Sequence, residues 1–133
     1  YVLMNIFGGG WGGRHHADGE SAAVSICQGD VRNTPVELQE IHYPFLLEYH
    51  RLRPDSGGPG RFRGGLGVEL KYRALEKSTV NVMLERILEP PWGTNGGHDG
   101  RSNAACRGWP AITRAPREFV KSCNPVRGWV LST

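Results

Sequence analysis

Apolar and charged residues alternate with a period of two over residues 68–74, and the alternation returns over residues 80–85. A period of two places alternate side chains on opposite faces of a strand. The connector around Glu76–Ser78 is short, so the two segments are predicted to form an antiparallel hairpin with one solvent-exposed face. Shorter apolar runs predict further strands over residues 2–7, 20–27 and 45–53.

A single short helix is predicted after Asn33. Thr34 can accept hydrogen bonds from the free N–H groups of a first helical turn, and Pro35 suits the first helical position. Glu37 follows at the spacing of a capping box. Pro44 disfavours helical backbone at the residue before it, so the helix should stop there. The predicted fold class is therefore α+β, mainly β, with antiparallel strands, one short helix and glycine-rich loops.

Glycine accounts for 19 of the 133 residues and is concentrated in loops, which indicates an irregular fold of at most one domain. The cluster over residues 8–13 could form a phosphate-binding loop, but such a loop needs a Lys and a Ser/Thr at fixed positions. Arg14, His15 and His16 stand there instead. Tight turns and close backbone packing are the favoured explanation.

The net charge of +3 comes from the C-terminal part of the chain. Residues 1–98 hold 10 basic and 11 acidic residues, for a net charge of −1, whereas residues 99–133 hold 6 and 2, for +4. We therefore expect no nucleic-acid partner, although Arg61–Gly65 resembles one copy of an RGG element. No apolar run is long enough to span a bilayer, so no membrane association is expected either.

Three cysteines at wide spacing form neither a metal knuckle nor a disulfide framework, which favours a cytoplasmic setting. Cys27 lies in an apolar run and is predicted to be buried. His15 and His16 are adjacent, so they are poorly placed to bind one ion, and solvated loop histidines are the favoured interpretation. No metal ligand is assigned to this chain.

Two long motifs carry a family resemblance. One combines Gly8–Arg14 with Gln28–Glu37, and the other is Arg53–Gly67. Together they resemble the hydantoinase B/5-oxoprolinase family, which also includes subunits of acetone and acetophenone carboxylases. The similarity covers about residues 2–105 and is typical of the C-terminal part of a longer subunit. Residues 1–100 are interpreted as the family-like region, and residues 101–133 as a divergent tail or one read in a shifted frame.

The resemblance implies a parent enzyme that hydrolyses the C–N bond of a cyclic amide, hydantoin or 5-oxoproline, with ATP. An ATP-dependent ketone carboxylase and a non-catalytic scaffold are the alternatives. ATP and a divalent metal would act in the complex with a hydantoinase A-type subunit, and neither is expected on this chain. The isolated chain is expected to be inactive, since it lacks a nucleophile–base pair and a metal cluster of its own.

Polar residues within the family-like motifs, in or beside loops, are the candidates for substrate binding. Structural roles are the alternative explanation: Glu37 would close the capping box and Asp55 would hold the turn over residues 54–57. Arg53 and Arg61 would pair with Asp55. The candidates are Asn33, Glu37, Arg53, Asp55, Arg61 and Arg63.

Overall fold

The structure is a computed structural model that describes residues 2–29, 31–107 and 118–121. Its sheet has the strand order β1-β2-β4-β3, and every neighbouring pair is antiparallel. The α+β class, mainly β with one short helix, is confirmed. The elements are a 3₁₀ turn (Ile26–Gln28), α1 (Val36–His42), β1 (Phe45–Leu52), β2 (Val68–Ala74), β3 (Cys106–Arg107) and β4 (Glu118–Lys121).

Strands β1 and β2 form the main antiparallel pair, and both were predicted as strands. Phe45 lies opposite Ala74, and Leu52 lies opposite Val68. The register shifts between Leu47 and Tyr49, so Glu48 is an extra residue in β1. Such a bulge lets two successive side chains approach the same face of the partner strand.

The predicted hairpin between residues 68–74 and 80–85 is wrong. Within the described residues, 80–85 form no strand, and β2 pairs with β1 on one side and β4 on the other. Asn103 holds the end of this segment, because its side-chain amide donates to the Glu85 carbonyl and its backbone N–H donates to the Arg86 carbonyl. The alternation of apolar and charged residues therefore located β2 but did not identify its partner strands.

The two predicted N-terminal strands are also absent. In residues 2–7, the backbone of Ile6 bonds to a side chain and not to a neighbouring strand. The Ile6 N–H donates to Asn33 Oδ1 at 2.9 Å, and Asn33 Nδ2 donates to the Ile6 carbonyl at 2.6 Å. Residues 20–27 make a single bridge, between Ala23 and Gly9. Ala22 has a φ of 53°, which interrupts extended backbone.

The helix is confirmed, but the predicted cap is wrong. Pro35 occupies the N-cap position, and no side chain among the described residues caps α1. The side-chain amide of Gln39 instead donates to the Thr34 carbonyl, and the Gln39 N–H donates to the Pro35 carbonyl at 3.0 Å. The helix ends at His42, and Tyr43 is extended before Pro44, as the proline predicts.

Four glycine-rich segments pack backbone against backbone, and we call them the glycine stack (residues 8–13, 18–23, 57–67 and 93–100). Hydrogen bonds join the first three in order: Trp11 N–H to the Glu20 carbonyl, Gly19 N–H to the Arg63 carbonyl, and Gly65 N–H to the Trp11 carbonyl. His98 N–H donates to the Pro59 carbonyl and adds the fourth segment. Added Cβ atoms would come within 3.0 Å of backbone in another segment at Gly10, Gly19, Gly58 and Gly65.

Burial of apolar side chains contributes little to the stability of the described residues. Among the described apolar residues, only Ala74 is buried, at 3% exposure. Leu38 and Ile41, three residues apart on one face of α1, remain 45% and 74% exposed. Cys27 was predicted to be buried but is exposed, with its Sγ 3.0 Å from Ser25 Oγ. No helix in the described ranges is long and apolar enough to cross a membrane.

The structure describes only residues 101–107 and 118–121 of the tail that the sequence set apart. The rest of that interpretation, including a shifted reading frame, lies outside the described residues and stays a prediction.

The substitution Gly65→Ala tests the glycine stack. The new Cβ would collide with the Glu20 carbonyl, so the backbone would have to move. We expect a loss of roughly 2 kcal/mol in the free energy of unfolding, as for an overpacked core. Gly12→Ala is the matched control, because nothing lies within 4 Å of a Cβ there and its φ is not positive. Equal denaturant midpoints for the two variants would contradict the packing argument.

Candidate functional site

Arg53, at the end of β1, is the predicted site residue most firmly held by the structure. Its Nη1 donates to the Ser102 carbonyl at 2.8 Å, and its own carbonyl accepts from Ser56 Oγ at 2.8 Å. The backbone N–H of Arg53 donates to the Gly67 carbonyl. The backbone N–H of Gly67 in turn donates to Ser56 Oγ. Burial, followed by the positive charge of Arg101, lowers the pKa of Arg53.

Asn33 and Glu37 lie at the start of α1, next to the N-terminal segment. The Asn33 side chain uses both its oxygen and its nitrogen on the Ile6 backbone, so its observed role is structural. Glu37 is exposed on the first turn of α1 and makes no capping contact.

Asp55, Arg61 and Arg63 lie on the loop between β1 and β2. Asp55 has a φ of 53°, in the left-handed region that Asp tolerates in turns. The Arg61 guanidinium lies 5.6 Å from the centre of the Phe62 ring, and the Arg63 backbone N–H donates to Asp18 Oδ1 at 2.8 Å. Within the described ranges, no hydrogen bond or ion pair joins any two of the six predicted site residues, including the suggested pairs of arginine with Asp55.

A charged face on β1 and β2 is the feature that sequence reasoning missed. Glu48, in the β1 bulge, contacts Lys71 and Arg73 of β2. The Glu48 and Lys71 side chains are only 15% and 18% exposed. The hydrogen bond from Lys71 and the charge of Arg73 hold the pKa of Glu48 below its usual value, although burial opposes this shift.

The same face continues toward Arg53. Tyr49 OH donates to Glu69 Oε1 at 3.0 Å, and Arg51 Nη2 lies 3.3 Å from Glu69 Oε2. Glu69 is only 7% exposed, so the predicted solvent-exposed face of β2 is instead a paired and largely covered row of charges. Burial, with the Glu69 hydrogen bond, raises the pKa of Tyr49.

A second polar cluster lies between α1, β2 and the N-terminal segment. Asn5 Nδ2 donates to Gln39 Oε1 at 3.0 Å and to Tyr72 OH at 2.9 Å. Gln39 is 6% exposed, and burial raises the pKa of Tyr72. Every member of this cluster has a partner inside it, so it fixes the position of α1 over the sheet.

Comparison with known proteins assigns the chain to a family. The family model described as hydantoinase B/oxoprolinase matches residues 1–126. The chain belongs to this family.

Similar proteins within it include an uncharacterized protein of Methanocaldococcus jannaschii (43% identity over 51% of the chain and 12% of that protein). A 5-oxoprolinase 1 of Arabidopsis thaliana is 35% identical over 78% of the chain and 8% of that protein. A caprolactamase subunit beta of Pseudomonas jessenii is 37% identical over 61% and 14%. The chain thus spans a small fraction of the length of these relatives. No solved structure matches it.

Backbone N–H groups and histidines of this hydantoinase B-family chain are the described groups that bear on binding of ATP or a divalent metal. In the glycine stack, Gly9 and Trp11 already donate their N–H groups to Ala23 and Glu20, so these groups cannot bind a phosphate. His15 and His16 are exposed and lie against each other, with ring centres 4.3 Å apart. Across the ranges that the structure describes, no three His, Cys, Asp or Glu side chains are placed to hold a metal ion.

An open groove of about 300 Å³ lies beside the first glycine segment of this family member. Phe7, Trp11, Ala23, Ser25 and Gln28 line it together with the glycines. None of the six predicted site residues contributes to it, so the groove and the candidate residues are separate features.

The substitution Glu48→Gln tests the charged face. It leaves Lys71 without its full counter-charge in a mostly covered position, and we expect a loss of about 2 kcal/mol in the free energy of unfolding at neutral pH. Glu20→Gln is the matched control. It breaks an exposed pair with Arg14 and should cost less than about 1 kcal/mol.

The pH dependence follows from the direction of the Glu48 shift. A carboxyl group whose pKa is lowered in the folded state stabilises the fold above its unfolded pKa, and this contribution disappears as the pH falls through the folded pKa. The unfolding free energy should therefore fall on acidification below about pH 4.5, the ordinary value for Glu. The drop should be smaller in Glu48→Gln, as urea titrations at several pH values would show; parallel curves would contradict the assignment.

Proposed function

We propose that the chain is part of the B-type subunit of an enzyme that hydrolyses the C–N bond of a cyclic amide, such as hydantoin or 5-oxoproline, in an ATP-dependent reaction. The observation that carries the proposal is family membership over residues 1–126. The names of two relatives, 5-oxoprolinase and caprolactamase, each designate a cyclic amide. Their shared chemistry supports ring opening by water as the reaction class.

Within this proposal, the role of the chain is to help bind the cyclic amide. Arg53 is the best supported of the candidates, because its guanidinium is fixed by Ser102 and is partly covered. Its N–H groups could donate to a ring carbonyl oxygen, and such charge-assisted hydrogen bonds are stronger than neutral ones. The other proposed substrate contacts are Asn33, Glu37, Asp55, Arg61 and Arg63.

The nucleotide and the divalent metal are proposed to bind elsewhere in the assembled enzyme, on the hydantoinase A-type partner or on other parts of the B-type subunit. Exposed apolar side chains support assembly with other protein, since large apolar patches commonly mark interaction surfaces. They include Leu38 and Ile41 on α1 and Met83, Leu88 and Trp92 beyond β2. The proposed setting is the cytoplasm.

A purely structural role is the second candidate function. It is favoured by the use of Asn33 and Arg53 side chains on backbone groups of this same chain. In this case the motifs would maintain the glycine stack, and the reaction would take place on other parts of the enzyme.

An assay with and without the A-type partner distinguishes these functions. With ATP and Mg²⁺ or Mn²⁺, the chain alone should not open hydantoin or 5-oxoproline. In the assembled enzyme, Arg53→Gln should reduce kcat/KM by roughly tenfold or more, as for one lost charge-assisted hydrogen bond. Thr34→Ala is the control, because the Thr34 side chain caps no helix. Normal kcat/KM in Arg53→Gln would favour the structural role, and ring opening by the chain alone that Glu37→Gln abolishes would contradict the proposal.

A further inference from the structure

Two arginines are held together where β1 ends, and we call them the arginine pair (Arg53 and Arg101). Arg53 Nη1 donates to the carbonyl of Ser102, the residue that follows Arg101. The Arg101 N–H donates to the Ser56 carbonyl at 3.0 Å, and Ser56 Oγ donates to the Arg53 carbonyl at 2.8 Å. These three hydrogen bonds hold the Arg53 guanidinium and the backbone of residues 101 and 102 together, and the charge of Arg101 acts on Arg53.

The arginine pair carries two positive charges that no described carboxylate neutralises. The ion pairs among the described residues use Arg14, Arg51, Lys71 and Arg73. Glu69 is the carboxylate whose charge acts on Arg53, but its two oxygens already accept from Tyr49 and Arg51. Asp55 is exposed in the adjoining turn and forms no ion pair with either arginine. Arg53 is only partly exposed, and the positive charge of Arg101 that acts on it is unfavourable unless an anion joins them.

The turn that carries Arg53 is held by several hydrogen bonds. Ser56 Oγ accepts the Gly67 N–H at 2.8 Å, and the Arg53 N–H donates to the Gly67 carbonyl at 2.8 Å, so the turn that carries Arg53 is closed on itself. A guanidinium has five N–H donors in a planar fork, and Ser102 is the one described acceptor of the Arg53 side chain. The remaining donors match the two oxygens of a carboxylate or phosphate.

We propose that the arginine pair binds the oxyanion of a small ligand, a carboxylate or a phosphate group. Arg53 supplies a guanidinium fixed by Ser102, and the exposed Arg101 supplies a second positive charge that acts on it. The charge of the neighbouring carboxylate Glu69, which also acts on Arg53, favours a small anion over a long polyanion. Arg53 is also a proposed substrate contact, so the inference concerns the same residue, but it rests on the charge arrangement and does not require cyclic-amide hydrolysis.

Calorimetric titration of the 133-residue chain tests the proposal in the absence of any cyclic amide or partner subunit. Sodium phosphate and sodium acetate are the two probes, at constant ionic strength set with sodium chloride. Binding of phosphate alone identifies a phosphate site, and binding of acetate identifies a carboxylate site. Arg101→Gln should weaken binding by roughly tenfold or more, because it removes charge-assisted hydrogen bonds.

Lys77→Gln is the matched control. It removes one exposed positive charge that is distant in the sequence from both arginines, and it should change the affinity by less than about twofold. Arg101 has no side-chain partner among the described residues, so its loss should leave the circular dichroism spectrum unchanged. Arg53→Lys, which keeps the charge but not the planar fork, should also weaken binding. Absence of binding by the unchanged chain, or equal weakening in Arg101→Gln and Lys77→Gln, would overturn the proposal.

Discussion

Contact between backbones without intervening side chains is the constraint on which the rest of this structure depends. The four segments of the glycine stack approach so closely that a methyl group at Gly10 or Gly65 would overlap a neighbouring carbonyl. Close approach lets Gly19 donate to Arg63 and Gly65 donate to Trp11. Ala74 is the one buried apolar residue among those described. The stack therefore takes over part of the role that a hydrophobic core plays in other proteins.

The stack also positions the candidate site. Residues 57–67 belong to the stack and form most of the connection between β1 and β2, so their packing determines where the ends of both strands lie. Arg53 is bonded to Gly67 at one end of this connection, and Ser56 reaches the same glycine. The arginine pair is consequently a product of the loop packing and of the backbone of residue 102, and neither could be inferred from the arginines themselves.

Local signals predicted the local elements. Pro44 marked the end of α1, the apolar run over 45–53 located β1, and the alternation over 68–74 located β2. The partners of these elements were not predicted, because they depend on residues distant in the sequence. The Asn33 side chain bonds to Ile6 where a strand was expected, and β4 pairs with β2 where residues 80–85 were expected. The charged face was not predicted for the same reason. The bulge at Glu48 is a property of the register between β1 and β2, and no pattern in the sequence of β1 indicates it.

The hydrogen bonding of the glycine stack also bears on where the chain can be cut. Glycine-rich loops are commonly the first sites of proteolytic cleavage, because a protease must draw a free extended segment into its own active site. Here the backbone of residues 57–67 is bonded on both sides, to residues 11–19 and to residue 98. Residues 75–84, by contrast, belong to no strand and have mostly exposed side chains. Among the described residues, the more vulnerable bonds therefore lie in a segment without glycine, and the glycine-rich loop between β1 and β2 is the protected one.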